Sequence, residues 1–170
     1  MTLNVHVPKE LLFDPFPINK QFPYLMHKDF VSSQPFIHEA HFYLNMDALR
    51  PWDKENLQFC VSEIFEEWKQ LKPKIEGFIK EREKQNLSNS ILLGMEFFLE
   101  SVFWINEQPV CLDNGLKLES LEIKPFNLED RLLFIIKRMD GYHSYRQLDE
   151  LFKELEKQFS VKLLRLKRDR

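Results

Sequence analysis

From Ile91 to Ile105 the chain is apolar on nearly every side of a helix. Only Gly94, Glu96, Glu100 and Ser101 interrupt the run. A helix with no polar side has to be surrounded by other elements. These fifteen residues would rise roughly 22 Å as a helix, short of a hydrocarbon core of about 30 Å. The segment therefore predicts the central helix of a water-soluble bundle, and the remaining elements are read as what packs around it.

Amphipathic stripes supply the partners. Asp53 stands as an N-cap before Leu57, Val61, Ile64, Phe65, Trp68 and Leu71, which recur at helical spacing opposite a charged face. Pro73 suits the first turn of a new helix running to about Asn86, although one kinked helix fits the same pattern. Ser88 or Asn89 is the expected cap of the central helix. Asn127 is expected to cap a helix from Leu128 to Met139. Leu132, Ile135, Ile136 and Met139 form one apolar face of it, and Leu133 and Phe134 add a second. Asp140-Gly141 ends that helix, and Ser144-x-x-Gln147 reads as a capping box for the last one. Its stripe runs Leu148, Leu151, Phe152, Leu155, Phe159, Leu163 and Leu166. Between the helices, Val110-Cys111-Leu112 and Leu116-Lys117-Leu118 flank Asn114-Gly115, a small β-hairpin or a plain loop.

Residues 1–52 differ from the rest of the chain. Six of the nine prolines lie here, with four of the five histidines. Proline lacks the amide donor, so no long regular element is expected before Pro35. Phe13, Phe16, Phe22, Tyr24 and Phe30 are too many rings to leave in water. The expectation is an extended aromatic, proline-rich arm over 1–52 laid on a helical domain over 53–170. Short helices are expected from about Pro8 to Phe13 and after Pro35, through Ile37, Ala40, His41 and Leu44. The whole is a mainly α, single bundle-like domain of five or six helices.

Four glycines, at 77, 94, 115 and 141, cannot assemble a phosphate-cradling G-x-G-x-x-G or Walker-type loop. The net charge of −3, with both signs interspersed, gives no global pull toward nucleic acid or an anionic membrane. Cys60 and Cys111 belong to no C-x-x-C pair, which excludes a cysteine-built zinc site and fits reduced thiols. The N-terminus has neither a basic nor an apolar signal region, so the cytoplasm is the expected compartment, with no membrane contact and no cofactor.

Three constellations have the residue types that chemistry needs. His38 and His41 lie three apart, on one face of a helix, and could share a metal with His27 or Glu39; the alternative is two half-exposed histidines. Glu96 and Glu100 lie one turn apart on the most apolar helix. They are either an acid–base pair with split pKa values or that helix's solvent-facing seam. Arg138-Met139-Asp140-Gly141-Tyr142-His143-Ser144-Tyr145 resembles the R-x4-H-x-Y motif of HEPN-domain ribonucleases, which are small helical bundles. That resemblance implies metal-independent RNA cleavage, with Arg138 on the phosphate and His143 moving the proton. Met139 departs from the family's usual polar residue, and Gly141 and Ser144 predict a helix break across the motif. The last turn carries Lys162, Arg165, Lys167, Arg168 and Arg170, a contact for nucleic acid or simply a helix end favoured by its dipole.

Three stretches resemble the YpoC-like family of small uncharacterised proteins from Bacillus and its relatives. They are His6-Val7-Pro8-Lys9-Glu10-Leu11, Phe103-Trp104-Ile105-Asn106-Glu107-Gln108-Pro109-Val110, and Tyr142-His143-Ser144-Tyr145-Arg146-Gln147-Leu148-Asp149-Glu150-Leu151-Phe152. The resemblance implies a cytoplasmic bacterial protein with a helical fold, extends over nearly the whole chain, and assigns no activity to any residue. The expected function is non-enzymatic protein interaction, with an unknown protein or a second copy packing on an apolar stripe. The alternatives are the HEPN-like ribonuclease and a nucleic-acid-binding accessory protein.

Overall fold

A computed structural model describes residues 6–16, 27–113, 115–116 and 118–170. A 3-10 turn over Lys9–Leu11 precedes α1 (Ile37–Tyr43), α2 (Lys54–Lys80), α3 (Lys84–Ile105), α4 (Leu128–Lys137) and α5 (Tyr142–Arg168). The described residues contain no strand, and the domain is mainly helical and bundle-like.

The central helix is α3. Every residue from Gly94 to Ile105 is buried, because α2 and α5 cover it on two sides and the N-terminal segment covers it on a third. Trp68 of α2 stacks on Phe152 of α5 with ring centroids 4.6 Å apart, and Phe98 of α3 meets the same Phe152 edge-on at 5.3 Å. Gly94 is required where Trp68 crosses α3: a Cβ there would lie 2.6 Å from Trp68 Cζ3.

Several helix ends depart from expectation. The two segments about Pro73 are one helix. Pro73 has no N–H for the carbonyl of Lys69, but both residues are exposed, so water can take that carbonyl. The apolar stripe continues in phase across the proline from Leu71 to Ile75, and its burial outweighs the lost bond. α3 begins at Lys84, not after Ser88 or Asn89. Residues 81–83 make a tight turn with Arg82 left-handed (φ 56°), and Asn86 Nδ2 donates to Glu83 Oε2 at 2.8 Å, so the helix restarts at once. Asp53 and Asn127 occupy the expected N-cap positions but make no side-chain capping bond. α4 stops at Lys137, and Gly141, not Ser144, caps α5. The turn folds back so that Gly141 N donates to Arg138 O at 3.0 Å, where an added Cβ would press on the same carbonyl at 3.2 Å. Ser144 is buried inside the first turn, its hydroxyl without a partner.

The expected hairpin is absent among the described residues, and Asn114 and Lys117 lie outside them. Side chains organise residues 106–127 instead. Asn106 donates Nδ2 to Ile123 O at 2.8 Å and accepts Ile123 N at 2.9 Å. Lys124 Nζ donates to Leu118 O at 2.8 Å, and Glu129 Oε1 accepts Leu118 N at 2.5 Å. A two-strand ladder of so few residues is marginal alone, so these bonds decide the conformation. In the N-terminal segment, Leu11, Phe16, Phe36, Ile37, Ala40 and Trp52 are buried. Phe22 and Tyr24 lie outside the described residues. Among the described residues no helix is long and apolar enough to cross a membrane.

Candidate functional site

A polar cluster lies where α1 sits on α3. His38, Glu39, His41, Glu96 and Glu100 are all at most 5% exposed. The histidines are therefore not half-exposed, and the glutamates are not a solvent-facing seam. The reason is long-range: the N-terminal segment covers this side of α3, donating to it through Phe36 N and accepting from it through Glu39. Phe36, left-handed at φ 71°, donates its N–H to Glu100 Oε1 at 2.6 Å. Glu39 Oε1 accepts Trp104 Nε1 at 2.6 Å and Val110 N at 3.3 Å. A buried carboxylate that collects N–H donors is a staple between segments.

His38 stacks on Phe30 with centroids 5.2 Å apart, and its Nε2 lies 3.1 Å from Val31 N and 3.2 Å from Val31 O. Burial pushes the His38 imidazole down to about 4, and nearby His41 adds to that, so the ring is neutral at physiological pH. Its centroid is 6.2 Å from that of His41. Among the described residues, no group of three or more His, Cys, Asp and Glu side chains is placed to hold a metal ion. Cys60 is also buried, and burial, with Glu63 and Glu100 nearby, pushes its thiol up to about 12.

Arg138, His143 and Tyr145 stand about the tight turn between α4 and α5. Arg138 is the C-cap of α4 and lies over the ring of Phe134 at 5.9 Å. His143 is exposed on the first turn of α5, beside Tyr142. Tyr145 is 3% exposed and points inward, donating its hydroxyl to Glu76 Oε1 at 2.7 Å. Burial and that carboxylate raise its pKa well above the usual phenol range.

At the other end of α5, Lys162 is not a free cation: it donates to Ile105 O and reaches Glu107 Oε2 at 3.0 Å. Arg165, Lys167, Arg168 and Arg170 are exposed, beside Val161 and Leu164 at 48% and 58% exposure.

A further surface feature is on α4. Leu128, Leu132 and Ile135 face the core, whereas Leu133 and Phe134 face out at 42% and 39% exposure. Phe126, just before the helix, is 80% exposed. Phe126, Asp130, Arg131, Phe134 and Gln147 border an open groove of about 480 Å³ between α4 and α5. Arg131, which borders it, grips Glu154 of α5 through two bonds of 2.9 and 3.0 Å and also donates to Phe126 O at 3.1 Å. The second apolar face read from the sequence is thus a real surface with nothing of its own chain over it among the described residues.

The YpoC-like protein family matches residues 58–167, more than half of the sequence. The chain belongs to the YpoC-like family. The match takes in most of α2, all of α3 and α4, and nearly all of α5. An uncharacterized protein YpoC from Bacillus subtilis (strain 168) is 32% identical over 111 residues, covering 64% of this chain and 66% of that protein, just under two thirds of its length. No solved structure matches this chain. The matched range is narrower than the three resembling stretches implied, since His6–Leu11 falls before it. The α4 groove lies wholly inside the YpoC-like region, and His38, Glu39 and His41 lie outside it.

Proposed function

We propose that this YpoC-like protein is a non-enzymatic interaction module that docks on protein through the outward face of α4. The observation that carries the reading is the exposure of the adjacent pair Leu133 and Phe134 on that face, with Phe134 and the exposed Phe126 bordering a groove where Arg131 ties α4 to Glu154 of α5. Exposed apolar side chains scattered singly are ordinary, but an outward pair beside a groove that carries a further exposed ring makes a docking surface. The free thiols Cys60 and Cys111 support a reducing compartment, hence the cytoplasm. A photo-crosslinking residue placed at position 133 of the full chain in its native cell tests the reading. A discrete protein adduct is expected there and not from the same residue at exposed position 69. No adduct at 133 overturns it.

A second reading, nucleic-acid binding, rests on charge segregation. Residues 161–170 hold five cations and Asp169, a net +4, so the remaining 160 residues of a chain of net −3 carry −7. Its weakness is that Val161 and Leu164 are aliphatic, where stacking on bases needs rings. It predicts salt-sensitive RNA or DNA binding that deletion of 165–170 abolishes; binding unchanged by that deletion refutes it.

A further inference from the structure

The outward face of α4 is self-complementary. Asp130, Leu133, Phe134 and Lys137 follow at steps of three, one and three, which places them on one side of the helix. Asp130 and Lys137 are exposed, stand equally far on either side of the Leu133–Phe134 midpoint, and make no ion pair within the described chain. A two-fold axis through that midpoint would lay α4 antiparallel on its copy. Leu133 then meets Phe134 of the copy, and each Asp130 faces a Lys137, twice over. A two-fold contact requires one patch to be complementary to itself, and this patch is. Antiparallel helices also align opposite dipole ends. Phe126 and the groove beside Phe134 widen the contact beyond the ten residues of α4.

Resting on the interaction reading above, we infer that the occupant of the α4 face is a second copy of this chain, in a reversible antiparallel dimer. The contact is short, about 15 Å of helix, which sets it at the small end of specific interfaces and makes association concentration-dependent.

Sedimentation equilibrium of the full chain tests this by charge exchange. The wild-type protein is expected to move from 20.6 kDa toward twice that mass as concentration rises. Asp130→Lys and Lys137→Asp should each weaken association about tenfold, since each change turns two cross-copy attractions into repulsions. An equimolar mixture of the two variants should dimerise like wild type. In the mixed dimer the lysine introduced at position 130 faces the aspartate introduced at position 137, and the native Lys137 of the first variant faces the native Asp130 of the second. Asp130 and Lys137 also suit the dipole of their own helix, but mixing cannot restore that, so recovery reports the contact between copies. A wild-type chain that stays monomeric through the millimolar range, or a mixture no better than either variant alone, overturns the inference. In that event, a crosslink at position 133 to a different protein would leave the interaction reading standing, so the two can fail separately.

Discussion

Trp104 donates its indole N–H to Glu39 Oε1 at 2.6 Å, joining the last turn of α3 to the first turn of α1 across 65 positions of sequence. The same oxygen accepts Val110 N at 3.3 Å, so one carboxylate fixes helix, N-terminal segment and loop together. Glu39→Ala removes the acceptor and strands two buried donors, and should cost roughly 3 kcal/mol. Glu39→Gln keeps an acceptor oxygen and should cost about 1 kcal/mol. Urea unfolding followed by tryptophan fluorescence measures both, and equal losses would show that the bond contributes nothing specific.

Gly94→Ala sets two effects of opposite sign against each other. In a helix interior alanine is favoured over glycine by about 1 kcal/mol. The new Cβ would stand 2.6 Å from Trp68 Cζ3 and 3.0 Å from Leu148 Cδ2. Trp68 has little room to yield, since it stacks on Phe152 at 4.6 Å and its Nε1 donates to Asp149 Oδ1 at 3.3 Å. Overpacking at a pinned ring wins, and the variant should lose about 1–3 kcal/mol. A raised melting temperature in scanning calorimetry would contradict this.

These two sites show how much of the fold is legible in the sequence. The α2 stripe from Leu57 to Ile75 and the apolar run around Trp104 announce themselves, because helical packing has a local period. The outward pair Leu133–Phe134 is visible for the same reason. The burial of Glu100 is not: its partner is Phe36 N, 64 positions away, and no window along the chain brings them together. His38 and His41 read as half-exposed because the segment that covers them has no periodicity to follow. Helix starts shift where tight turns at Arg82 and Gly141 do the capping in place of Ser88 and Ser144. Among the described residues no hairpin ladder is present, and Asn106 clasps Ile123 from outside the region that a turn signal scans.

RNA incubated with the purified full chain should show no cleavage that depends on His143. The helix breaks between Arg138 and His143, and the buried Tyr145 spends its hydroxyl on Glu76 of α2. The comparison is with His143→Ala under identical conditions. Cleavage by the wild type that disappears in the variant would restore the ribonuclease reading.

Acid should lower the protein's stability in two separable windows, because two buried groups titrate at different pH. His38 has its folded pKa lowered to about 4 from 6.5. Between those values the unfolded chain binds a proton that the folded chain refuses, so stability falls as pH drops through that window, by on the order of 2–3 kcal/mol in all. Asp149 behaves differently. Burial pushes its carboxyl up, but the cations Lys72 and Lys153, at 2.9 and 3.0 Å, and the Trp68 N–H together hold it below 3.8. Its contribution is complete above that value and is lost only as pH falls below it. Urea unfolding at a series of pH values separates the two. His38→Phe keeps the stack on Phe30 and should flatten the slope between pH 6.5 and 4 while leaving the steeper loss below. Asp149→Asn should lower stability near neutrality, flatten the curve below pH 4 and leave the upper window unchanged. If both variants keep the wild-type slope between pH 6.5 and 4, a group other than His38 is taking up the proton.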